Sequence, residues 1–502
     1  MSSTMNSTYS IDWNALKERL LNREWKMLIG GRLVDSKSGT TYETYSPSTG
    51  EFLADIPFAQ KEDVELAVEA AKQAFESWKM VPPLERAKIL KVLIEEFKKL
   101  ADEYAVLDAI DGGNPVSAMV SDVELAAAMM EYTVGLVTEL KGETIPSSGS
   151  NWHLTKREPY GVIGRIIPYN HPIMFAASKI IAPLIAGNTV VLKAPDQCPL
   201  SSLLFAELCQ EFLPEGVVNI ITGDGRTTGD ELVRNKDIKR IALIGSVETG
   251  KTVLKSSAEV GIKHLSLELG GKNAMIVFPD ADLSKAVEGA VRGMNFMWCQ
   301  GQSCGSTSRL FLHEDIYDEF VSKLINRIKE LKIGLPIEPE TEMGCLVSQA
   351  QYDKVMRYIQ LGQEEGAELI HGGGKPEGDK FKDGFFVEPT VFTHVTEEMS
   401  IFTDEIFGPV LSIVRWKEKE DVIRQANRLP YGLTASIWTN HFPTAIETVD
   451  RIEAGFVWVN GSSRHFIGVP YQGYKNSGIG SEEGLEEILS YTQVKTINFM
   501  VE

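Results

Sequence analysis

Apolar residues recur at helical spacing over 62–79, where Val64, Ala67, Val68, Ala71, Phe75 and Trp78 share one face, and this predicts an amphipathic helix. A second helix, rich in Leu, Ala, Glu and Lys, is expected over 84–109 and is stopped by Asp111-Gly112-Gly113-Asn114-Pro115. From Tyr160 the pattern changes. Short apolar runs at 161–167, 189–192, 217–221, 240–244 and 264–267 alternate with helical segments near 173–186, 201–212, 226–234 and 250–260, as in a parallel, doubly wound α/β sheet. A second α/β series begins near Ala274, with a strand at 276–278, a helix over 283–296, a strand at 308–312 and a helix over 316–331, and runs to about Gly478. Two segments fit neither series: a polar stretch of strand character at 144–158, and 491–500, where Val494, Thr496, Ile497 and Phe499 suit a strand. Isolated strands of this kind complete a sheet across a subunit boundary, since an uncovered edge invites aggregation.

A chain of 502 residues with 43% hydrophobic and 24% charged side chains exceeds one hydrophobic core and divides into two or more domains. Its 50 Lys and Arg against 70 Asp and Glu give a net charge of −20, which repels nucleic acid and anionic membrane surfaces; small molecules are the expected partners. The five cysteines Cys198, Cys209, Cys299, Cys304 and Cys345 have neither the spacing of a disulfide framework nor histidines at zinc-site spacing, so a reducing compartment and no metal are expected. The segment 1–10 has no positive start and no apolar run, and no stretch approaches the roughly 18 apolar residues of a membrane span, which reads as a cytoplasmic protein.

Cys304 lies in Gln300-Gly301-Gln302-Ser303-Cys304-Gly305, where small neighbours allow an exposed nucleophile, although a buried inert thiol is the commoner fate of cysteine. Glu268 opens a glycine-rich bend, Glu268-Leu269-Gly270-Gly271-Lys272-Asn273, and offers a carboxylate that could act as a base. A nucleophile and a base on separate loops point to covalent catalysis with a hydrolytic second half. Lys193 ends an apolar strand at the carboxyl edge of the expected sheet, where dinucleotides bind in open α/β folds. Gly245-Ser246-Val247-Glu248-Thr249-Gly250 follows another strand and opens a helix whose free N–H groups suit a pyrophosphate. Gly223-Asp224-Gly225 with Gly229 is a weaker glycine cluster, equally compatible with a plain turn.

These motifs occur in a definite order with Pro168-Tyr169-Asn170-His171-Pro172, Gly187-Asn188-Thr189-Val190-Val191-Leu192-Lys193-Ala194, Glu405-Ile406-Phe407-Gly408-Pro409-Val410 and Lys475-Asn476-Ser477-Gly478. Over nearly its whole length the chain resembles the aldehyde dehydrogenase superfamily. The resemblance implies a doubly wound Rossmann-like cofactor domain (1–140 and 159–272), an α/β catalytic domain (273–478) and a small β oligomerisation extension (141–158 and 486–502), assembled as a homodimer or homotetramer. It implies that Cys304 attacks an aldehyde, that Asn170 and the Cys304 N–H hold the oxyanion, that NAD takes a hydride, and that Glu268 activates water against the resulting thioester. The cofactor residues it implies are Lys193, Asp196, Gly225, Gly229, Gly245, Ser246, Gly250, Glu405, Phe407, Ile167, Pro168, Tyr169 and Leu269. An acid at 196 accepts from ribose hydroxyls and repels a 2′-phosphate, which favours NAD over NADP.

Positions transferred around the motifs place His171, Met174, Ser178, Trp298, Arg464, His465 and Tyr471 at the substrate pocket. An inward Arg464 could hold a carboxylate or phenol oxygen, whereas a surface arginine would not. Cys299 stands where the family usually has asparagine. Two other readings remain open: an acylating enzyme that passes the thioester to coenzyme A, which Glu268 argues against, and a non-catalytic protein of the same fold.

Overall fold

A computed structural model describes residues 11–147 and 150–500. The polar segment 1–10, two residues of the predicted strand 144–158 and the last two of the C-terminal extension lie outside the described residues. The first of two large sheets has eight strands in the order Arg32–Val34, Met27–Ile29, Val218–Ile221, Thr189–Lys193, Val162–Ile166, Ile238–Ile244, His264–Glu268 and Gly478–Ile479. The five inner strands are parallel, and antiparallel partners close both ends. Thr189–Lys193 is buried at every position, as a strand covered on both faces must be.

Helix Lys61–Trp78 covers one face with Val64, Ala67, Val68, Ala71, Ala74 and Trp78 buried. Trp78 donates its indole N–H to the Leu184 carbonyl at 3.1 Å, so its polar atom is satisfied while the ring leaves water. Phe75, expected on the same face, is only half-buried, with the Lys79 ammonium over its ring.

The second sheet has seven strands in the order Glu368–His371, Thr390–Thr393, Val410–Trp416, Arg309–His313, Ala274–Val277, Thr434–Trp438 and Phe456–Val459, parallel except for the first pair. A separate three-stranded sheet joins Thr492–Phe499 to Trp152–Pro159 over eight paired positions and then to Thr144–Ile145. Trp152 and Val494 on it are more than half exposed.

Five expected elements differ in detail. The helix over 84–109 is two, Pro83–Lys99 and Ala101–Gly112, turned at Leu100 so that Phe97 and Tyr104 stack at 4.9 Å; core packing overrides a continuous propensity. Its stop is as expected, with Gly113 left-handed at φ 87°. The helix over 173–186 breaks into Pro172–Ser178 and Ile181–Ile185, because Pro183 cannot follow a continuous helical turn. The segment 226–234 opens with a π-turn, Gly225–Gly229, before Asp230–Arg234, and 283–296 divides at Asn295, whose φ is 54°. The strand region 144–158 is two strands, the second beginning at Trp152. Helix Val116–Gly135 and the N-terminal hairpins were not anticipated. Among the described residues no helix is long and apolar enough to cross a membrane, and no group of side chains forms a metal cluster.

Candidate active site

Cys304 sits where two cavities meet: one lined by Pro168, Tyr169, Gly245, Ser246, Glu405 and Phe407, the other by His171, Met174, Glu268, Trp298, His465 and Tyr471. Asn170 lines both, as Cys304 does. The thiol is partly exposed, whereas the other four cysteines are buried. Cys299 in particular is sealed and lines neither cavity, which keeps it from any substrate there.

The two glycine-rich motifs are joined by Asn273. Its side-chain amide donates to the Cys304 carbonyl at 2.7 Å and to the Ser306 carbonyl at 2.9 Å, and its oxygen accepts from the Thr434 N–H at 3.0 Å. The loop bearing the nucleophile is therefore pinned to the loop bearing Glu268. Left-handed Asn295 and Gln300 flank the short helix Phe296–Cys299 before it, a concentration of backbone strain of the kind that functional loops hold.

Asn170 is placed by the turn between strand Val162–Ile166 and helix Pro172–Ser178. Its carbonyl accepts from the Asn114 amide at 2.9 Å, and Asp108 accepts from the Ile173 N–H at 3.1 Å, which fixes the start of that helix. Among the described residues neither the Asn170 side-chain amide nor the Cys304 N–H donates a hydrogen bond, so both remain available to an oxygen in the cavity.

Glu268 is raised to about 8, by burial first and then by the Glu482 carboxylate, with Lys179 and Arg165 acting in the opposite sense. Glu482 itself is held down at about 2: burial would raise it, but Arg165 at 2.8 Å and Lys179 at 2.7 Å outweigh that. Burial, followed by Glu268 and Glu405, pushes the Cys304 thiol well up, partly offset by a hydrogen bond with the Tyr471 hydroxyl. Both shifts favour the protonated forms of the resting base and the resting nucleophile.

On the cofactor side, Glu405 accepts from the Gly271 N–H at 2.9 Å, and Phe407, left-handed at φ 59°, packs edge-on to Tyr169 at 5.9 Å. Gln351 donates to the Ile406 and Phe407 carbonyls and holds that loop; neither it nor Lys354, which also lines the cavity, was singled out from sequence. Ser246 caps helix Val247–Val260, its hydroxyl accepting from Thr249. Lys193 is buried with Asp196 at 3.5 Å. A buried ammonium beside Asp196, at the carboxyl end of a parallel strand, suits the ribose hydroxyls of a dinucleotide.

Several expected site residues have other placements. Gly250 packs the helix onto Leu269, where a Cβ would come within 2.7 Å of the leucine side chain, so both serve helix–strand packing. Gly225 and Gly229 lie in the π-turn capped by Asp224 and do not line the cavity that reaches Cys304; Ile167 is buried beside the Lys193 carbonyl. Ser178 turns its hydroxyl back onto the Met174 carbonyl at 2.5 Å and does not face the substrate cavity. Arg464 stands outside that cavity, exposed over the Phe466 ring. The sequence reading missed two buried carboxylates. Asp122 bridges His171 Nδ1 at 2.7 Å and Trp298 Nε1 at 2.6 Å, and Glu483 pairs with His465 Nδ1 at 3.0 Å. Neither belongs to a recognisable local motif; each is brought in by a distant element.

A model of the aldehyde dehydrogenase family matches residues 33–497. The chain is 44% identical to aldehyde dehydrogenase TropH of Talaromyces stipitatus over 91% of this chain and 89% of that protein. Among solved structures, an NAD+ complex of aldehyde dehydrogenase from Bacillus cereus is 40% identical, with a TM-score of 0.93 over 97% of this chain and 98% of that one. Betaine aldehyde dehydrogenase from Staphylococcus aureus, also solved with NAD+, is 32% identical, with a TM-score of 0.94 over 97% of each chain.

Proposed function

The chain belongs to the aldehyde dehydrogenase family and oxidises aldehydes with NAD, and from that premise we propose that Cys304, Asn170 and Glu268 divide the chemistry between them. The observation that carries this division is the position of Cys304 at the junction of two cavities, both lined by Asn170 and one by Glu268.

Cys304 releases its proton to solvent and its Sγ bonds to the aldehyde carbon, while the C=O π pair moves onto the oxygen. The oxygen gains charge, and the free Asn170 amide and Cys304 N–H are positioned to hold it. Bound NAD would supply the acceptor for the hydride this carbon must lose, and the acyl group would then stay on Cys304 Sγ as a thioester. Glu268 in its ionised form then takes a proton from water as the water attacks the thioester, and that proton passes to the departing sulfur, releasing the acid and the thiol. Lys193, Asp196, Ser246, Glu405 and Phe407 are the residues proposed to hold the dinucleotide. In an assay with an aldehyde and NAD, NADH and free acid should form one to one with no coenzyme A present. A requirement for coenzyme A, with thioester as product, would transfer the chain to the acylating reading.

Asp196 is the proposed selector of NAD over NADP. Replacing it with Ser should raise kcat/KM for NADP relative to NAD by at least about tenfold, the scale of removing one charge repulsion near a phosphate. An unchanged ratio would remove Asp196 from that role.

The division at 1–140 with 159–272, 273–478, and 141–158 with 486–502 is supported by the two large sheets and the separate three-stranded one. The exposed Trp152 and Val494 on the small sheet favour a homodimer or homotetramer, which a monomer in sedimentation at assay concentrations would contradict. A cytoplasmic location is proposed from the free thiols.

A further inference from the structure

The cavity holding Cys304 opens outward into a second one, with which it shares Leu125, Trp298, Ser463 and His465. The outer cavity is lined by Arg292 and Arg464 and by no carboxylate. This sign is unexpected in a protein of net charge −20. Both guanidiniums are solvent-exposed, and among the described residues neither is within ion-pair distance of an acid. The nearest acid on the same helix as Arg292, Glu288, is taken by Arg327 at 2.7 Å. Arg464 lies over the Phe466 ring at 5.0 Å. Two unpaired cations at the mouth of a cleft raise the local concentration of anions and their rate of entry.

Past the mouth stands His465, between Trp298 at 6.4 Å and Tyr471 at 5.0 Å. Glu483 occupies its Nδ1, which leaves Nε2 as the ring's free nitrogen. Burial disfavours the charged ring, but the Glu483 carboxylate outweighs this and raises its pKa, with Glu268 adding to the effect and Lys179 opposing it. Two carboxylates around the inner cavity are engaged, Asp122 by His171 and Trp298 and Glu483 by His465, and burial disfavours the charged form of the third, Glu268. Apolar Met174 and Phe175 line the remaining wall, which has no charged group to meet a substrate's apolar body.

We propose that the preferred substrates are aldehydes carrying a carboxylate at the end remote from the formyl group, drawn in past Arg292 and Arg464 and received by His465 Nε2. The inference rests on the assignment of Cys304 as the nucleophile at the foot of the inner cavity. The formyl carbon reaches Cys304 while the carboxylate stays toward the mouth, so the charged end never enters the apolar part of the cavity. His465 is here a specificity residue that binds substrate.

The test compares 4-formylbenzoate with 4-formylbenzamide, an uncharged body of nearly the same shape, in NADH formation. The acid should have the higher kcat/KM by at least about tenfold at low ionic strength, and the advantage should shrink as salt screens the arginines. In the double variant Arg292→Gln, Arg464→Gln the ratio should fall toward one, and His465→Gln should raise KM for the acid more than for the amide. If the wild-type protein oxidises the amide as well as the acid, or its preference for the acid is indifferent to salt and to the loss of both arginines, the proposal is overturned while aldehyde oxidation stands. NADH from another aldehyde but from neither of these also overturns the proposal, and a Cys304→Ala variant that keeps its NADH formation overturns the assignment it rests on.

Discussion

Replacing Cys304 with Ala should lower the rate of NADH formation by at least about 10³-fold, because the covalent route depends on one nucleophile. Cys304→Ser is the stricter comparison, since a hydroxyl keeps the shape of the side chain and is a far weaker nucleophile near neutral pH. NAD affinity, measured by calorimetry, should change little in either variant, as Lys193, Asp196 and Glu405 are held by contacts that do not involve the thiol. Cys299→Ala should leave most of the activity in place, because that thiol is fully buried and has no access to either cavity. A Cys304→Ala enzyme that still turned over at an appreciable fraction of the wild-type rate would move the nucleophile elsewhere, with Cys299 the first place to look.

The strands of the parallel sheet were legible in the sequence because a strand buried on both faces reads as an unbroken apolar run, as in Val190, Val191 and Leu192. Helix ends were legible only where a local signal sets them, as at Gly113. The turn at Leu100 has no such signal; it exists because Phe97 and Tyr104 must face each other. Helix Val116–Gly135 escaped notice because apolar residues lie on most of its sides, which blurs the helical period, while the first hairpin turn at Gly30-Gly31, with φ of 61° and 77°, was a readable signal that went unused.

The site divides in the same way. Cys304, Asn170 and Glu268 sit in local motifs whose backbone shape the glycines and prolines dictate. The residues that tune them come from far along the chain: Asp122 reaches His171 from a helix that was not anticipated, and Glu482 and Glu483 approach from the C-terminal region. Long-range electrostatics of this kind leave no spacing to read. A glycine in the same motifs has a packing use that local sequence does not announce. Gly250 looked like part of a phosphate cradle, yet its lack of a Cβ is used to bring helix and strand together over Leu269.

Glu268→Gln should give a burst of about one NADH per site and then a steady state slowed by about 10²–10⁴-fold, the usual contribution of a positioned base. The acyl group then waits on Cys304 because nothing draws the proton from the attacking water. The pH profile carries the sign of the same argument. Burial and the Glu482 carboxylate hold Glu268 near 8, so its ionised, basic form is the minor one at neutral pH and becomes dominant only above about that value. When thioester hydrolysis limits turnover, kcat of the wild-type enzyme should therefore rise as pH climbs toward 8 and level off beyond it, while the Gln variant loses this limb because an amide does not titrate. Weakening Glu482 as an anion, by Glu482→Gln, takes away one of the influences that raise Glu268 and should move the limb to lower pH. If the Gln variant at 268 keeps both its steady-state rate and the rising limb, Glu268 is not the group that activates water, and the hydrolytic half of the reaction needs another base.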